Sequence, residues 1–257
     1  MKLITLNTWG GRAGKEGLLQ FFAEHRNIDI FCLQEIWSAP YEHLEGQLAG
    51  GLRIDNSRVM TYGMQEISGL LADEFNAFFN PNHGDHYGLM MLVRKNLNVV
   101  AKGEVFVYKE KGYVETWDVG DHARNIQYLT LNINDQPLTV MNFHGLWNGK
   151  GKIDSEDRID QSKKIVDFLK SLNGDCVFAG DFNLLPDTES MKIIESAGLK
   201  NLVRNYGITS TRTSIYKKPE KHASYVLVSD NIEVKDFRVL PDEVSDHSPL
   251  FLDFELK

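Results

Sequence analysis

The sequence has only two cysteines among its 257 residues, Cys32 and Cys176. Both lie in apolar, strand-like runs, so we expect buried free thiols and not the disulfide framework of a small secreted domain. No apolar stretch approaches the ~20 residues that a membrane-spanning helix needs. The amino-terminal segment also lacks a long apolar run followed by a cleavage site. These absences predict a soluble, cytoplasmic protein with no membrane segment.

An excess of positive charge is missing as well. The chain has 28 Lys and Arg residues against 36 Asp and Glu residues, which gives a formal net charge of −8 and a pI near 5.5. A protein that binds long nucleic acid mainly through its phosphates usually carries a basic face. The composition therefore argues against tight, non-specific binding of long DNA, although it allows a local basic patch.

Repeats, low-complexity tracts and linkers are also lacking, so we predict a single domain over residues 1–257. Apolar and β-branched runs predict strands at residues 28–34, 89–93, 126–133, 138–143, 176–179, 225–228, 234–240 and 250–256. Helical spacing predicts helices at 15–26, 64–75 and 155–172, and a short helix after Thr188; Asp154 or Ser155 can cap the third. This mixture favours α/β layers, with two packed sheets covered by outer helices.

Four short motifs each end an apolar run with carboxylate, amide or imidazole groups. They are LITLNTW at residues 3–9, FCLQEIW at 31–37, VFAGDFN at 177–183 and VSDHSP at 244–249. Hard oxygen donors with one or two histidines suit Mg²⁺ or Mn²⁺ and phosphate chemistry. Hydrolysis of a phosphodiester further needs neutral donors for its oxygens, a base for water and an acid for the leaving oxygen. Only a folded domain can bring motifs so far apart together.

With His144 of the run VMNFHGLW, the order of these motifs resembles the endonuclease/exonuclease/phosphatase superfamily, which has the deoxyribonuclease I-like fold. The resemblance covers nearly the whole chain. It implies a four-layer α-β-β-α sandwich of two packed mixed sheets with outer helices, and a site at one edge of the two sheets. It also implies Mg²⁺-dependent (or Mn²⁺-dependent) hydrolysis of a phosphodiester or phosphomonoester.

The resemblance also implies roles for individual residues. Glu35 matches the principal metal carboxylate, with Asn7 and Asp246 contributing nearby. Asp181 resembles the residue that orients or deprotonates the attacking water. Asn183 resembles the amide that binds a phosphate oxygen.

Two histidines complete the expected catalytic set. His247 resembles the histidine that polarises the scissile phosphate or transfers a proton. His144 matches a second histidine that serves as an acid or a transition-state donor in the deoxyribonuclease and sphingomyelinase branches. A strand-end histidine bonded to backbone is the alternative for His144, and we favour the functional interpretation. Arg124 either binds a phosphate or belongs to a surface ion pair.

One position departs from the family pattern. Family members usually have an aspartate that holds the catalytic histidine, and Ser224 stands where that aspartate is expected. A serine can hydrogen-bond an imidazole but adds no negative charge. We therefore expect weaker catalysis, or compensation by another group such as His222.

The substrate is less well defined by the sequence. The four tryptophans, Trp9, Trp37, Trp117 and Trp147, lie near motifs or loops, where they either stack on substrate or pack loops against the domain. We expect packing for at least two of them and assign Trp147 to substrate binding. The segment 144–152 is a candidate loop over the substrate. The segment 209–221 is either a local basic patch or, as we favour, a solvated loop.

Three functions are compatible with these features. The first is a divalent-metal-dependent phosphodiesterase or nuclease that cleaves P–O bonds with an activated water. The second is a hydrolase of a small phosphoester or phospholipid headgroup. The third is a catalytically weakened binding or regulatory protein, because Ser224 replaces the expected aspartate. We favour the first, with a phosphoester such as nucleic acid as the substrate, a monomeric state and no obligate protein partner.

Overall fold

Fourteen strands make up the sheets of the computed structural model, which describes residues 1–49, 52–115 and 118–257. In chain order they are β1 (Lys2–Asn7), β2 (Ile30–Trp37), β3 (Leu48–Ala49), β4 (Leu52–Arg53), β5 (Phe75–His83), β6 (Tyr87–Arg94), β7 (Val99–Tyr108), β8 (Arg124–Ile133), β9 (Gln136–His144), β10 (Asp175–Asp181), β11 (Lys200–Asn201), β12 (Ser224–Val228), β13 (Ile232–Val239) and β14 (Leu250–Leu256).

Two six-stranded mixed sheets form the centre of the fold. The first has the strand order β13-β14-β1-β2-β6-β5 and the second β11-β12-β10-β9-β8-β7, while β3 and β4 pair separately. The β1–β2 and β9–β10 pairs are parallel. Their neighbours β14, β6, β8 and β12 run antiparallel to them. Each sheet therefore has a central parallel pair whose two strands end at the same edge.

Alternating side chains of β1 and β2 serve two different cores. Leu3 and Cys32 point into the core between the sheets, together with side chains such as Val140 of β9. Ile4 and Phe31 point the other way, into a core beneath the helices. This period-2 alternation explains why both strands are apolar along their whole length, since each is covered on both faces.

Helices cover the outer faces of both sheets. They are α1 (Lys15–Glu24), α2 (Gly63–Leu70), α3 (Glu156–Ser171), α4 (Glu189–Glu195) and α5 (Leu202–Asn205), with short 3₁₀ turns at Trp9–Gly11, Glu42–Leu44 and Asn56–Arg58. Phe22 of α1 and Ile67 of α2 pack on the first sheet. Ile165 of α3 and Ile194 of α4 pack on the second. The predicted four-layer sandwich of two packed mixed sheets with outer helices is confirmed.

Polar side chains cap the first turns of α3 and α4. Ser155 accepts a hydrogen bond from the backbone N–H of Arg158 at the start of α3, and Thr188 accepts one from Met191 in α4. Asp154, the alternative cap of α3, instead accepts from the backbone N–H groups of Glu189 and Ser190. Asp154 thus joins the loop after β9 to the first turn of α4, where a carboxylate also interacts favourably with the helix dipole.

The helix predicted at 64–75 is too long. Helix α2 ends at Leu70, and Phe75 begins β5, where its ring packs against Phe31. Strands β5 and β7 were not among the predicted strands. Both are the last strands of their sheets, and most of their residues are only partly buried. An edge strand has weaker hydrophobic patterning because one side faces solvent.

Both cysteines are buried free thiols, as expected. Within residues 1–49, 52–115 and 118–257, no helix is both long enough and apolar enough to cross a bilayer.

Buried amides connect the two sheets. The Gln34 side chain in β2 donates to Asn142 Oδ1 in β9 over 2.7 Å. Asn142 Nδ2 donates to the carbonyl of Leu33 (2.9 Å), the carbonyl of Met90 (3.2 Å) and Gln127 Oε1 (3.1 Å). All three amide side chains are inaccessible to solvent. Such bonds form only at one relative placement of the sheets, so they fix how the sheet edges align.

Replacing Asn142 by leucine should therefore destabilise the fold. Asn142→Leu keeps the approximate volume but leaves buried carbonyl and amide groups without partners, which costs about 3 kcal/mol. Urea unfolding monitored by tryptophan fluorescence would measure the change. Asn96→Leu, at an exposed turn position, is the control and should change stability little. Equal stability of the two variants would contradict the structural role of this network.

Candidate active site

The predicted site residues meet at one edge of the two sheets. In the first sheet, Asn7 at the end of β1 pairs with Gln34 of β2. In the second, Asp181 at the end of β10 pairs with His144 of β9 on one side and with Ser224 of β12 on the other. The strand ends therefore bring residues from distant parts of the sequence to one place.

Asn7 joins the carboxylates of the two sheets. Its Nδ2 donates to Glu35 Oε1 over 3.0 Å and to Asp181 Oδ2 over 2.9 Å. Its Oδ1 accepts from the backbone N–H of Trp9 over 2.9 Å. In this orientation Asn7 positions the two carboxylates, since its amide oxygen is already used by the backbone.

Glu35 leaves the regular strand geometry. Its φ is 58°, in the left-handed region, and the pairing of β2 with β6 shifts register between Leu33 and Ile36. Such a bulge turns a side chain out of the alternation of the strand. Trp9 (φ 51°) and Asn183 (φ 53°) have the same unusual backbone conformation. Strained backbone of this kind concentrates at functional sites.

Asp181 lies at the centre of the cluster and is buried. Its Oδ1 accepts from the backbone N–H of Asn183 over 3.0 Å. Burial opposes its negative charge, but the neighbouring His247, His144, Lys152 and Arg212 lower its pKa below the usual range. Asp181 is therefore an anion at neutral pH.

His247 is held between Ser224 and Asp181. Its Nδ1 lies 2.9 Å from Ser224 Oγ, and its Nε2 lies 3.3 Å from Asp181 Oδ2. Because Nε2 faces a carboxylate, it carries the hydrogen, and Nδ1 accepts from the serine hydroxyl. Burial and the charge of Arg212 lower the pKa of His247 well below its usual value. The serine thus orients a neutral imidazole.

The other proposed support for His247 is engaged elsewhere. His222 Nε2 lies 2.9 Å from the backbone carbonyl of Ile208. Ser224 is therefore the residue that contacts His247 Nδ1, and it stands where the resemblance places the histidine partner.

His144 is a second neutral imidazole. Its Nε2 lies 3.7 Å from Asp181 Oδ2 and 3.9 Å from Glu35 Oε1. Its Nδ1 is buried and has no hydrogen-bond partner among the described residues. Burial, reinforced by the charge of Arg124, lowers the pKa of His144 to about 3. Among the described residues, the His144 ring therefore does not bond to backbone, which was the alternative interpretation of this histidine.

Arg124 does not belong to a surface ion pair. Its side chain is only 2% exposed, and its Nη2 donates to the carbonyl of Gly120 over 3.0 Å. Its Nε and Nη1 are buried without a partner among the described residues. A buried guanidinium with unused donors is suited to bind an anion such as phosphate.

The segment 209–221 differs from the solvated loop that we favoured. Arg212 has a side chain only 5% exposed, and its Nη1 lies 2.8 Å from Asp246 Oδ2. It also forms an isolated β-bridge with His247. Lys217, Lys218 and Lys221 are exposed, as a solvated loop requires. The segment therefore places Arg212 in the site, while its lysines are exposed and two of them, Lys217 and Lys218, also line the cavity described next.

The site opens into a cavity of about 380 Å³. Six cationic side chains line it against three carboxylates: Arg12, Arg124, Lys152, Arg212, Lys217 and Lys218 against Glu35, Asp181 and Asp246. The cavity is therefore locally basic in a chain whose net charge is −8. Arg12 was not expected in the site, and its only signal is its position three residues after the first motif. Lys152 was expected only as the last residue of the candidate substrate loop 144–152.

Aromatic rings also line the cavity. Trp9, Trp37 and Trp147 all contribute to its wall. Trp37 is 5% exposed and packs edge-to-face on Tyr41 and Tyr87, as expected for a loop-packing tryptophan. Trp147 is half-buried, which suits the predicted contact with substrate. Trp117 lies outside the described residues.

A search against protein-family models matched residues 4–247 to the endonuclease/exonuclease/phosphatase family. The chain belongs to this family. Its members are hydrolases that act on phosphoesters, and they typically depend on a divalent metal ion. A search of curated proteins found no significant match.

Solved structures share the fold at low sequence identity. A conserved protein of unknown function from Enterococcus faecalis V583 superposes with a TM-score of 0.74 at 16% identity, with 100% of both chains covered. The mannosyl-6-phosphatase of Bacteroides thetaiotaomicron VPI-5482 gives 0.71 at 16% identity, also over 100% of both chains. D. rerio TDP2 in complex with single-strand DNA product gives 0.68 at 15% identity, covering 99% of this chain and 98% of that one. These similarities establish the deoxyribonuclease I-like fold of the family.

The residues at the sheet edge fit a divalent cation. Within the described part of the chain, no group of three or more His, Cys, Asp or Glu side chains is arranged to hold a metal ion by itself. Mg²⁺ is usually bound by one or two carboxylates, with water and substrate phosphate completing its shell. Glu35 suits this role because it has no close ion pair: the guanidinium of Arg12, among the described residues, approaches it only to 3.9 Å. Burial raises the pKa of Glu35, Arg12 and the Asn7 hydrogen bond oppose this rise in part, and the charges of Asp246 and Asp181 add to it, so a cation would be favourable there.

The role of Ser224 can be tested with an aspartate at this position. Ser224→Asp would place a negative charge beside His247 Nδ1 and should raise the pKa of His247. A rise of one pKa unit increases the protonated fraction about tenfold. We expect a faster metal-dependent hydrolysis, and NMR titration of the histidine ring would measure the pKa directly.

Ser224→Asn is the matched control, because it has the size of aspartate without the charge. It should leave the pKa of His247 low. An unchanged hydrolysis rate in Ser224→Asp, with fold and metal binding intact, would contradict the assignment of Ser224 as the histidine partner.

Proposed function

We propose that the protein is a divalent-metal-dependent phosphodiesterase that cleaves a P–O bond by attack of an activated water. The observation that carries this proposal is the anionic Asp181 between two neutral imidazoles, His144 and His247, beside Glu35 in a locally basic cavity. This combination supplies an acceptor for water, donors for phosphate oxygens and a carboxylate for a metal. We further propose that residues 1–257 act as one catalytic domain.

Asp181 is suited to orient the attacking water. Its carboxylate is fixed by Asn7 and by the backbone N–H of Asn183, so its remaining lone pairs have defined directions. A carboxylate with a lowered pKa is a weak base. It therefore takes the proton of the water only as the bond to phosphorus forms, which is consistent with the loose transition state of phosphoryl transfer.

Neutral donors surround the position of the scissile phosphate. His247 Nε2–H and His144 can each donate to a phosphate oxygen or to the leaving oxygen. The Asn183 amide lines the same cavity, and its Nδ2 bonds only weakly, over 3.3 Å, to the carbonyl of Gly145. Arg124 adds a buried cation with unused donors. Together these groups can balance the negative charge that develops on the phosphate.

Glu35 would hold a divalent metal ion, with Asp246 contributing Oδ1, which accepts only a long hydrogen bond of 3.5 Å from Ser245 Oγ. The other oxygen, Asp246 Oδ2, is engaged by Arg212. A metal bound there would neutralise phosphate charge and lower the pKa of a coordinated water. Asn7 would contribute by positioning Glu35 rather than by direct ligation.

The dimensions of the cavity favour a small or terminal phosphoester. A volume of about 380 Å³ is typical of small-molecule sites. The net charge of −8 adds long-range repulsion of long nucleic acid. We therefore propose a phosphodiester on a small molecule or at the end of a single strand as the substrate. The mixed aromatic and basic wall suits either one.

Hydrolysis of bis(p-nitrophenyl) phosphate provides the first test. We expect release of nitrophenolate with Mg²⁺ or Mn²⁺ and its loss with EDTA. His247→Ala should lower kcat/KM by roughly 10²–10⁴-fold, the usual contribution of an acid–base residue. Asp181→Asn and Glu35→Gln should be similarly impaired, because each removes a charge while keeping the side-chain shape.

His25→Ala is the matched control for the histidine variant. His25 follows α1, and its Nδ1 bonds to the carbonyl of Phe21. It should retain full activity. Activity surviving in His247→Ala would locate the reaction elsewhere. No metal-dependent turnover of this compound, of oligonucleotides or of phosphomonoesters would favour the catalytically weakened binding protein instead.

A further inference from the structure

A cluster of cations and aromatic rings occupies one wall of the cavity. We call it the cation–aromatic wall; it consists of Trp147, Lys152, Arg212, Tyr216 and Lys218. Lys152 Nζ lies 5.5 Å from the ring centres of both Trp147 and Tyr216. Lys218 Nζ lies 5.2 Å from the Trp147 ring, and Arg212 Cζ lies 4.0 Å from the Tyr216 ring. Cations at these distances are attracted by the faces of the rings.

Lys152 is buried in this wall without a counter-ion. It is 2% exposed, and its amine contacts the rings of Trp147 and Tyr216 instead of a carboxylate. Burial and the charge of Arg212 lower its pKa to about 8, so most of it still carries a proton at pH 7. A buried cation is costly unless an anion pairs with it.

The carboxylates near Lys152 have other partners. Asp246 Oδ2 pairs with Arg212 over 2.8 Å, and Glu220 Oε2 accepts from the Tyr216 hydroxyl over 3.2 Å. Arg212 also has spare capacity, because its Nε is buried without a partner among the described residues. The wall therefore contains a buried donor, Arg212 Nε, that the described residues leave without a partner.

The backbone that carries Lys152 is firmly held. The carbonyl of Lys152 accepts from the backbone N–H of Leu185 over 2.9 Å. The buried Arg158 of α3 donates to the carbonyl of Gly151 over 2.7 Å and to that of Leu146 over 3.3 Å. Asp154 binds the start of α4. These bonds fix the loop around Lys152, so the position of its amine is a built feature of the fold.

We propose that Lys152, Arg212 and Lys218 form a subsite for a second phosphate group of the substrate, beside the phosphate that is hydrolysed. The inference rests on the proposed phosphodiesterase function. Arg212 connects the position of the hydrolysed phosphate to that of the second phosphate. On the catalytic side, its side chain pairs with Asp246 and its backbone forms an isolated β-bridge with His247. On the other side it stacks on Tyr216 within the wall.

The chemistry of this subsite is that of a phosphate dianion or diester anion. Two sources can supply it: the next phosphate along a nucleic acid strand, or a phosphomonoester on a small molecule. The rings of Trp147 and Tyr216 do not distinguish between these two sources, because their contacts are with the Lys152 amine. Matched ligand pairs that differ only in a second phosphate distinguish the two sources.

Calorimetric titration with two such pairs tests the proposal. The first pair is thymidine 5′-phosphate and thymidine 3′,5′-bisphosphate; the second is glucose 6-phosphate and glucose 1,6-bisphosphate. Titrations are run with Mg²⁺ and with EDTA, and each ligand is checked for integrity afterwards. We expect the second phosphate to lower Kd about tenfold in at least one pair. A gain with the nucleotide pair identifies a strand, and a gain with the sugar pair identifies a small molecule.

Variants separate this subsite from general attraction of charge. Lys152→Met should reduce the bisphosphate preference to within about twofold. Lys218→Met, an exposed position that poses little risk to folding, should reduce it partly. Lys150→Met is the control, since Lys150 is exposed in the same loop and does not line the cavity. It should keep the full preference, and circular dichroism would verify the fold of each variant.

Equal binding of both members of each pair under both conditions would overturn the proposal. So would a preference that survives in Lys218→Met and in folded Lys152→Met, or one that Lys150→Met removes equally. Hydrolysis without a bisphosphate preference would leave the proposed function standing alone. A preference without hydrolysis of any substrate would support the subsite and contradict the proposed function.

Discussion

The buried amide contacts between the sheets are the constraint on which the rest of the structure depends. Gln34 and Asn142 bond across the interface over 2.7 Å, and Asn142 extends the contact to Gln127. An apolar interface would tolerate sliding, whereas a buried amide is satisfied at one placement only. This placement aligns the ends of the two parallel strand pairs. Asn7 can then reach Asp181 over 2.9 Å across 174 positions of sequence.

Charge in the site follows from the same alignment. Burial disfavours every ionised group there, and it leaves both histidines neutral. Asp181 keeps its charge because the neighbouring His247, His144, Lys152 and Arg212 lower its pKa against the effect of burial. The balance of six cations against three carboxylates then leaves the cavity attractive to phosphate, despite the acidic chain around it. Local geometry, and not total charge, decides which ligands the site accepts.

Much of the fold, and the grouping of the candidate site residues, could be predicted from sequence because both depend on strands. Apolar runs such as β2 and β10 are covered on both faces, and polar residues at their ends, such as Glu35 and Asp181, stand out against them. The edge strand β5 lacks this contrast. The burial of Arg212 and Lys152, which lie in segments that were candidates for a basic patch and a substrate loop, was not predictable for a different reason. Their burial arises from loops that fold over the sheet edge, and a charged residue in a polar loop normally indicates solvent exposure.

The residues at strand ends and the residues in loops therefore differ in what holds them in the site. Residues at strand ends are held by the sheets, and Asn7 links Glu35 to Asp181 between the two sheets. Lys152 is held differently, because Arg158 of α3 and the contact of Asp154 with the start of α4 fix the loop after β9 against helices. Changes in these loops can alter the substrate without disturbing Asp181 or His247. This separation explains why the strand-end motifs identify the chemistry of the site, while the substrate must be inferred from Lys152, Arg212 and their aromatic neighbours.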